Sequence, residues 1–174
     1  MKVKLLALAL TTTLAGYSTM LLAADGTINF TGNITDTACT VDTASTNQTV
    51  NLGTVATTAF SAAGSTASPT RFTINLNTCP AAVKSANVRF DGNTNSANSN
   101  ILALNSDQTA TNVGVALYEQ NSSTLIPVGN PTENVTLSST NSNTLTYIAK
   151  YYSTATPVTA GTANSTATFT IAYN

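Results

Sequence analysis

Reactive side chains are few in this sequence, and its two cysteines, Cys39 and Cys79, are the most informative of them. Such a pair can form a disulfide, bind a metal ion or supply a catalytic thiol. The last two uses need partner groups, and the chain contains no His, the commonest metal ligand and the commonest base. In an exported protein, two thiols normally pair. We therefore expect a disulfide between Cys39 and Cys79, worth on the order of 4 kcal/mol for a loop of about 40 residues.

The first residues predict export. Lys2 and Lys4 form a basic start, residues 5–22 form an apolar stretch, and residues 21–24 end it with small side chains. This order is typical of a secretory signal peptide over residues 1–23, with cleavage after Ala23 or Ala24. A membrane anchor is the competing interpretation. The three threonines that interrupt the apolar run count against it.

The remaining polar residues give little support to catalysis. A nucleophile would need Lys84 or Lys150 as its base, and Asp107 with Glu119 is a carboxylate pair that a fold could bring together. Scattered acidic residues are more often simply solvated, and dinucleotide and phosphate-loop patterns are absent. No basic stripe is present to bind nucleic acid. We expect neither an enzyme nor a nucleic-acid-binding protein, and no cofactor or metal.

Composition and spacing predict an all-β fold. The chain contains 35 Thr and 20 Asn, which favour half-buried strands and turns respectively. Many short alternating runs with turn clusters between them predict an antiparallel β-sandwich of immunoglobulin-like type. Residues 61–69, rich in Ala and Ser, predict a long loop. Strands are predicted at residues 27–34, 38–41, 49–52, 71–77, 87–90, 101–104, 113–119, 124–128, 134–137, 144–152 and 166–173.

The first and the last of these predicted strands lie at the two ends of the exported chain. In both, apolar side chains alternate with small or polar ones, which is the period of a half-buried strand. A segment at a chain end is expected to be disordered unless it is tied into a sheet. The alternating set is Ile28, Phe30, Gly32 and Ile34 in the first segment and Phe169, Ile171 and Tyr173 in the second.

Several short patterns resemble one known family. They are Gly-Thr-Ile-Asn-Phe-Thr-Gly-Asn-Ile at residues 26–34, Gln-Thr-Val-Asn-Leu-Gly at 48–53, Ala-Thr-Asn-Val-Gly-Val at 110–115 and the placement of the two cysteines. Two further details are specific, a penultimate tyrosine, Tyr173, and a glycine fourteenth from the end, Gly161. Together they are similar to the major subunits of type 1 and related chaperone–usher fimbriae of Gram-negative bacteria.

The resemblance implies a sandwich that lacks its final strand and is completed by a donor strand from a neighbouring subunit. Residues 24–37 would form the donor-strand extension, and residues 38–174 the pilin domain. Ile28, Phe30, Gly32 and Ile34 would then be the donor residues. The missing strand leaves a groove lined in part by the C-terminal strand. Gly161, Phe169, Ile171 and Tyr173 are accordingly expected at the groove or at its chaperone contact.

The resemblance also implies the partners and the location. In this family a periplasmic chaperone fills the groove, and an outer-membrane usher exchanges it for the extension of the next identical subunit. The product is a head-to-tail polymer with other fimbrial subunits at its tip. We expect export through the periplasm into a surface fimbria that supports adhesion.

Two other functions remain open from the sequence. One is a minor or adaptor subunit of the same kind of fibre. The other is a monomeric secreted carbohydrate-binding sandwich, which would need aromatic rings on an exposed face. The chain has no Trp, so the candidates for such a face are Tyr118, Tyr147, Tyr151 and Tyr152.

Overall fold

Nearly all of the regular secondary structure is β-strand, as the composition predicts. The computed structural model describes residues 26–32 and 38–174. In this part of the chain, no helix is long and apolar enough to cross a membrane. In chain order the elements are β1 (Thr40–Val41), α1 (Thr43–Thr46), a 3₁₀ turn (Thr57–Ala59), β2 (Thr66–Asn77), β3 (Ser85–Asp91), β4 (Val113–Glu119), β5 (Leu125–Ile126), β6 (Val135–Thr136), β7 (Asn143–Ser153) and β8 (Thr168–Tyr173).

The strands form two antiparallel sheets. One has the order β1-β2-β7-β4-β5 and the other the order β6-β3-β8. Alternate side chains of both sheets meet in one hydrophobic core, which includes Ile74 from β2, Leu145 from β7 and Val88 from β3. The prediction of an immunoglobulin-like antiparallel β-sandwich is confirmed.

Three aromatic rings pack against one another between the two sheets. Phe72, Phe90 and Tyr147 come from β2, β3 and β7, and their ring centroids lie 5.1 to 5.9 Å apart. The Tyr147 hydroxyl lies 3.3 Å from Oγ1 of Thr132, which also accepts the Val88 N–H at 2.9 Å. The one phenol in this cluster therefore has a hydrogen-bonding partner, as a buried Tyr requires.

The expected disulfide between Cys39 and Cys79 is present. Cys39 precedes β1, Cys79 follows β2, and both are buried. The bond therefore fastens the short β1 to the end of β2 where the two strands pair.

Three predicted strands are wrong in the chain as it stands. Residues 49–52 form no strand, and residues 101–104 make only isolated bridges, from Leu102 to Thr94 and to Val115. Residues 26–32 form no strand either, while residues 33–34 of the prediction lie outside the described residues. Alternation gives each segment an apolar face, but a strand also needs a neighbour that takes its backbone hydrogen bonds.

Candidate functional site

β8 is an edge strand with an apolar inner face. It pairs with β3 on one side, and along its other side no strand is paired among the residues described. Phe169, Ile171 and Tyr173 are half-buried and pack against the core, whereas Thr168, Thr170 and Ala172 are exposed. The strand that ends the sequence thus has the alternation that was predicted for it.

The register shows which backbone groups of β8 remain open. Ser85 and Asn174 exchange two backbone hydrogen bonds, of 3.0 and 2.8 Å. Hydrogen-bonded and non-hydrogen-bonded pairs alternate along antiparallel strands. The N–H and C=O groups of Phe169, Ile171 and Tyr173 therefore face away from β3. The residues that point side chains into the core are also those that offer hydrogen bonds to a further strand.

A second unpaired segment, residues 48–53, lies on the other sheet. We call it the second wall. Val50 and Leu52 are half-buried and pack against the same core. Within the described part of the chain, its residues make no backbone-to-backbone hydrogen bond. In this segment apolar and polar side chains alternate as in a strand, but the backbone hydrogen bonds of a strand are not formed within the described residues.

The second wall and the free edge of β8 lie on the same side of the sandwich. The second wall contacts β2 through Gln48, whose Nε2 donates to the Thr73 carbonyl at 3.1 Å. The other side of β2 is taken by β7, so the second wall follows the β2 edge that also holds β1. The Tyr173 hydroxyl donates to the Cys39 carbonyl, immediately before β1, at 3.4 Å. We call the region between the second wall and β8 the open edge.

The inward side chains of the open edge form an apolar contact surface. Its inward residues are aliphatic or aromatic, and burial raises the pKa of Tyr173, so its phenol stays protonated at neutral pH. Of the carboxylates that sequence reasoning weighed for catalysis, Glu119 is buried and its Oε1 accepts the Glu133 N–H at 2.8 Å, while Asp107 is exposed. Among residues 26–32 and 38–174, no three His, Cys, Asp or Glu side chains converge as a metal site would require.

Residues 26–32 carry apolar side chains in solvent. Ile28 is 78% exposed and Phe30 is 91% exposed, and these are the large apolar side chains that are exposed in the described ranges. Nothing lies within 4 Å of the position that a Cβ on Gly32 would take. Ile34, the fourth predicted donor residue, lies outside the described residues. The exposed Ile28 and Phe30 keep the alternation that the sequence shows for this segment.

Gly161 lies in the loop that leads into β8, and a tight backbone contact explains why it is glycine. A Cβ at this position would come within 2.5 Å of the Ala110 nitrogen and 2.6 Å of the Thr109 carbonyl carbon. Thr109 and Ala110 both donate backbone N–H groups to the Thr162 carbonyl. Its predicted role at the groove or the chaperone contact stays a prediction.

The second wall and its contacts were not predicted as part of a site. The signal was present, because Val50 and Leu52 alternate with polar residues. The tyrosines that could form a sugar-binding face are not exposed: Tyr118 and Tyr147 are buried, and Tyr151 and Tyr152 are half-buried. The fold and the open edge define a class of protein, an antiparallel β-sandwich whose β8 has one unpaired edge among the residues described.

Comparison with known proteins agrees with this class. The family model described as "Fimbrial protein" matches residues 28–174. The A chain of the type-1 fimbrial protein of Escherichia coli K12 is 37% identical over 182 residues, covering 99% of this chain and 100% of that protein. The chain belongs to the fimbrial protein family, as a structural subunit of a fimbria. The resemblance seen in the sequence is confirmed.

Solved structures agree as well. A Burkholderia pseudomallei antigen and type I fimbria protein is 39% identical to this chain, with a TM-score of 0.62. The match covers 85% of this chain and 97% of that one. The rod subunit of the P pilus is 18% identical, with a TM-score of 0.63 over 79% of this chain and 100% of that one, and shares the fold.

Proposed function

We propose that this subunit polymerises by donor-strand exchange. Residues 26–34 of one subunit enter the open edge of the next and complete its sandwich beside β8. The observation that carries the proposal is that one chain combines two complementary parts. β8 joins inward apolar side chains to open backbone groups, and residues 26–32 expose alternating apolar side chains. An added strand gains ladder hydrogen bonds, while its alternate side chains enter pockets.

The expected energies are sufficient for assembly. Burying Ile28, Phe30 and Ile34 contributes about 1.5–3 kcal/mol each. Several ladder hydrogen bonds add roughly 0.5–1.5 kcal/mol apiece. A total above ~8 kcal/mol corresponds to a micromolar or tighter contact. Gly32, which has no side chain, lets the donor backbone approach where the groove is shallow.

The proposal includes the route to the surface. Residues 1–23 direct export, residues 24–37 are the donor extension, and residues 38–174 are the acceptor domain. An open sheet edge is an aggregation hazard, so a periplasmic chaperone covers it until an outer-membrane usher exchanges the chaperone for the next extension. The contact is head-to-tail and does not close, and it therefore generates a filament. We assign this chain as the major subunit, with other subunits at the tip. The number of copies of the chain per fibre distinguishes a major subunit from an adaptor.

The test is Phe30→Asp, with Asn29→Asp as its matched control. Both substitutions add one negative charge to the exposed segment 26–32, but on opposite faces of an alternating strand. We expect Phe30→Asp to abolish fibres because it would bury a charge in the groove. Asn29→Asp should assemble. Fibres are counted by electron microscopy of the bacterium that makes them, and the chaperone complex is measured by co-purification.

The chaperone complex separates a donor defect from a folding defect. Phe30 belongs to the donor and not to the acceptor, so the Phe30→Asp subunit should still co-purify with the chaperone. Fibres of Phe30→Asp at wild-type abundance would refute donor-strand exchange through this segment. Loss of the chaperone complex together with the fibres would refute the donor role of Phe30.

A further inference from the structure

Side chains, and not a backbone ladder, hold the second wall against β2. Gln48 donates to the Thr73 carbonyl at 3.1 Å, and the Ser68 hydroxyl donates to the Leu52 carbonyl. Between these two contacts is a cavity of about 360 Å³, lined by residues 48–51 and 70–73. The second wall thus stands away from β2 and is bridged to it at two points, Gln48 and Ser68.

The backbone at Ser68 is unusual in a way that aims its hydroxyl. Ser68 has a φ of 54°, which is uncommon for a residue other than glycine. It lies in a β-bulge, because the pairing of β2 with β7 shifts between Ala67 and Thr70. Bulges redirect single side chains out of the regular pleat. Here the redirected side chain is the one that contacts Leu52.

These contacts leave part of the backbone of the second wall free. The two contacts with β2 use the Gln48 side chain and the Leu52 carbonyl, so they leave the backbone groups of Thr49 and Asn51 unused. Within the described residues they have no backbone partner. The wall is therefore anchored at two points, and these backbone groups remain open for pairing.

We infer that Ser68, together with Gln48, is a positioning residue for donor capture. Their two side-chain hydrogen bonds hold the second wall in place beside β2 before a donor strand arrives. This inference rests on the proposed function. A wall that is already in place lowers the ordering cost of association. Once the donor is inserted, its own ladder bonds hold the wall, so the two anchors should affect the association rate and leave the dissociation rate nearly unchanged.

The experiment measures capture of a fluorescent peptide with the sequence of residues 24–37. The mature chain is refolded with its disulfide at nanomolar concentration and mixed with micromolar peptide, and anisotropy gives both rates. Ser68→Ala and Ser68→Gly remove the hydroxyl, whereas Ser68→Asn keeps a donor and tolerates the left-handed backbone. Gln48→Met removes the other anchor. We expect Ser68→Ala, Ser68→Gly and Gln48→Met to slow association roughly 3- to 10-fold, the value of one hydrogen bond, and Ser68→Asn to stay near wild type.

The matched control is Asn112→Gly. Asn112 has a similar φ of 60°, and its Nδ2 donates to the Pro157 carbonyl at 2.8 Å, outside the open edge. It should capture peptide at the wild-type rate. Equal association rates for wild type, Ser68→Ala and Ser68→Gly would overturn the positioning role. It would also be overturned if Ser68→Asn or Asn112→Gly slowed association as much as Ser68→Ala does. An equal change in both rate constants would also overturn it. A wild-type chain that captures no peptide would instead refute donor-strand exchange itself.

Discussion

At the scale of single residues, β8 combines two properties that an incoming strand needs. Ile171 directs its side chain into the core and its backbone groups away from β3, and Phe169 and Tyr173 do the same. A single residue therefore offers both an apolar surface and a hydrogen-bonding pair. The same alternation gives residues 26–32 one face that can enter the groove and one that stays in solvent.

Tyr147 is expected to make the sandwich lose stability as the pH becomes strongly alkaline. Burial raises its pKa to about 12, from 10.0. The folded state therefore holds the phenolic proton more tightly than the unfolded state does. The stabilisation is complete below pH 10 and is lost as the pH rises to about 12, and it amounts to about 2–3 kcal/mol. We expect Tyr147→Phe to flatten this part of the pH profile.

The measurement is urea unfolding at pH 8 and pH 11. It uses a chain in which a copy of residues 24–37 follows Asn174 through a flexible linker, so that the open edge is filled. Comparison at pH 8 gives the effect of losing the Thr132 contact alone. Burial also raises the pKa of Tyr118, Tyr151 and Tyr173, so a smaller slope should remain. A variant that loses as much stability as wild type between the two pH values would contradict the assignment to Tyr147.

At the scale of elements, the sequence predicts best the strands that are buried between neighbours. β4 has the predicted bounds, 113–119, and β7 and β3 differ by one or two residues at each end. The first part of β2 was predicted as a loop, because its Ala, Ser and Pro residues are not typical of strands. A bulge also interrupts its pairing with β7. α1 was not predicted. A four-residue helix capped by Asp42 is too short to show a helical period.

The site was only half predictable, for a physical reason. The apolar alternation of residues 26–34, 49–52 and 166–173 was visible, but pairing depends on which neighbour each segment finds. β8 pairs with β3 through backbone hydrogen bonds, whereas residues 48–53 are held only by side-chain hydrogen bonds in this chain. The Ser68 contact arises from a β-bulge and a positive φ, and no local pattern in the sequence predicts either of them.

β8 should be sensitive to charge on one face only. Ile171→Asp places a carboxylate in the open edge, and Thr170→Asp places one on the exposed face, opposite Arg89. We expect Ile171→Asp to weaken capture of the 24–37 peptide by at least about 2 kcal/mol, roughly 30-fold, since it loses apolar burial and adds a desolvated charge. Thr170→Asp should bind like wild type. Anisotropy titrations measure both, and equal affinities would exclude β8 as the acceptor strand.

At the scale of the whole molecule, the low charge content of the chain predicts that charge has little part in assembly. Only 7% of the residues of the full sequence are charged, and its net charge is −1; without Lys2 and Lys4 of the predicted signal peptide, 4 − 7 gives −3. In the described residues, the one ion pair joins Arg89 to Asp91 on the exposed face of β3. The inward side chains of the open edge and of residues 26–32 are apolar. We therefore expect recognition between subunits to depend on shape, apolar burial and backbone hydrogen bonds.

Assembly should accordingly respond to denaturant and not to salt. Raising the salt concentration from 0.05 to 0.5 M shortens the Debye length from about 14 Å to about 4 Å and would weaken any electrostatically steered association. We expect peptide capture to change less than about 2-fold over this range, because neither β8 nor the second wall contains a charged side chain. Urea should instead weaken it steadily, since urea solvates apolar and peptide groups. Stopped-flow anisotropy measures the rate, with guanidinium chloride excluded because it is itself a salt. A fall of 10-fold or more in the association rate with salt would show that charged groups outside the open edge guide the donor.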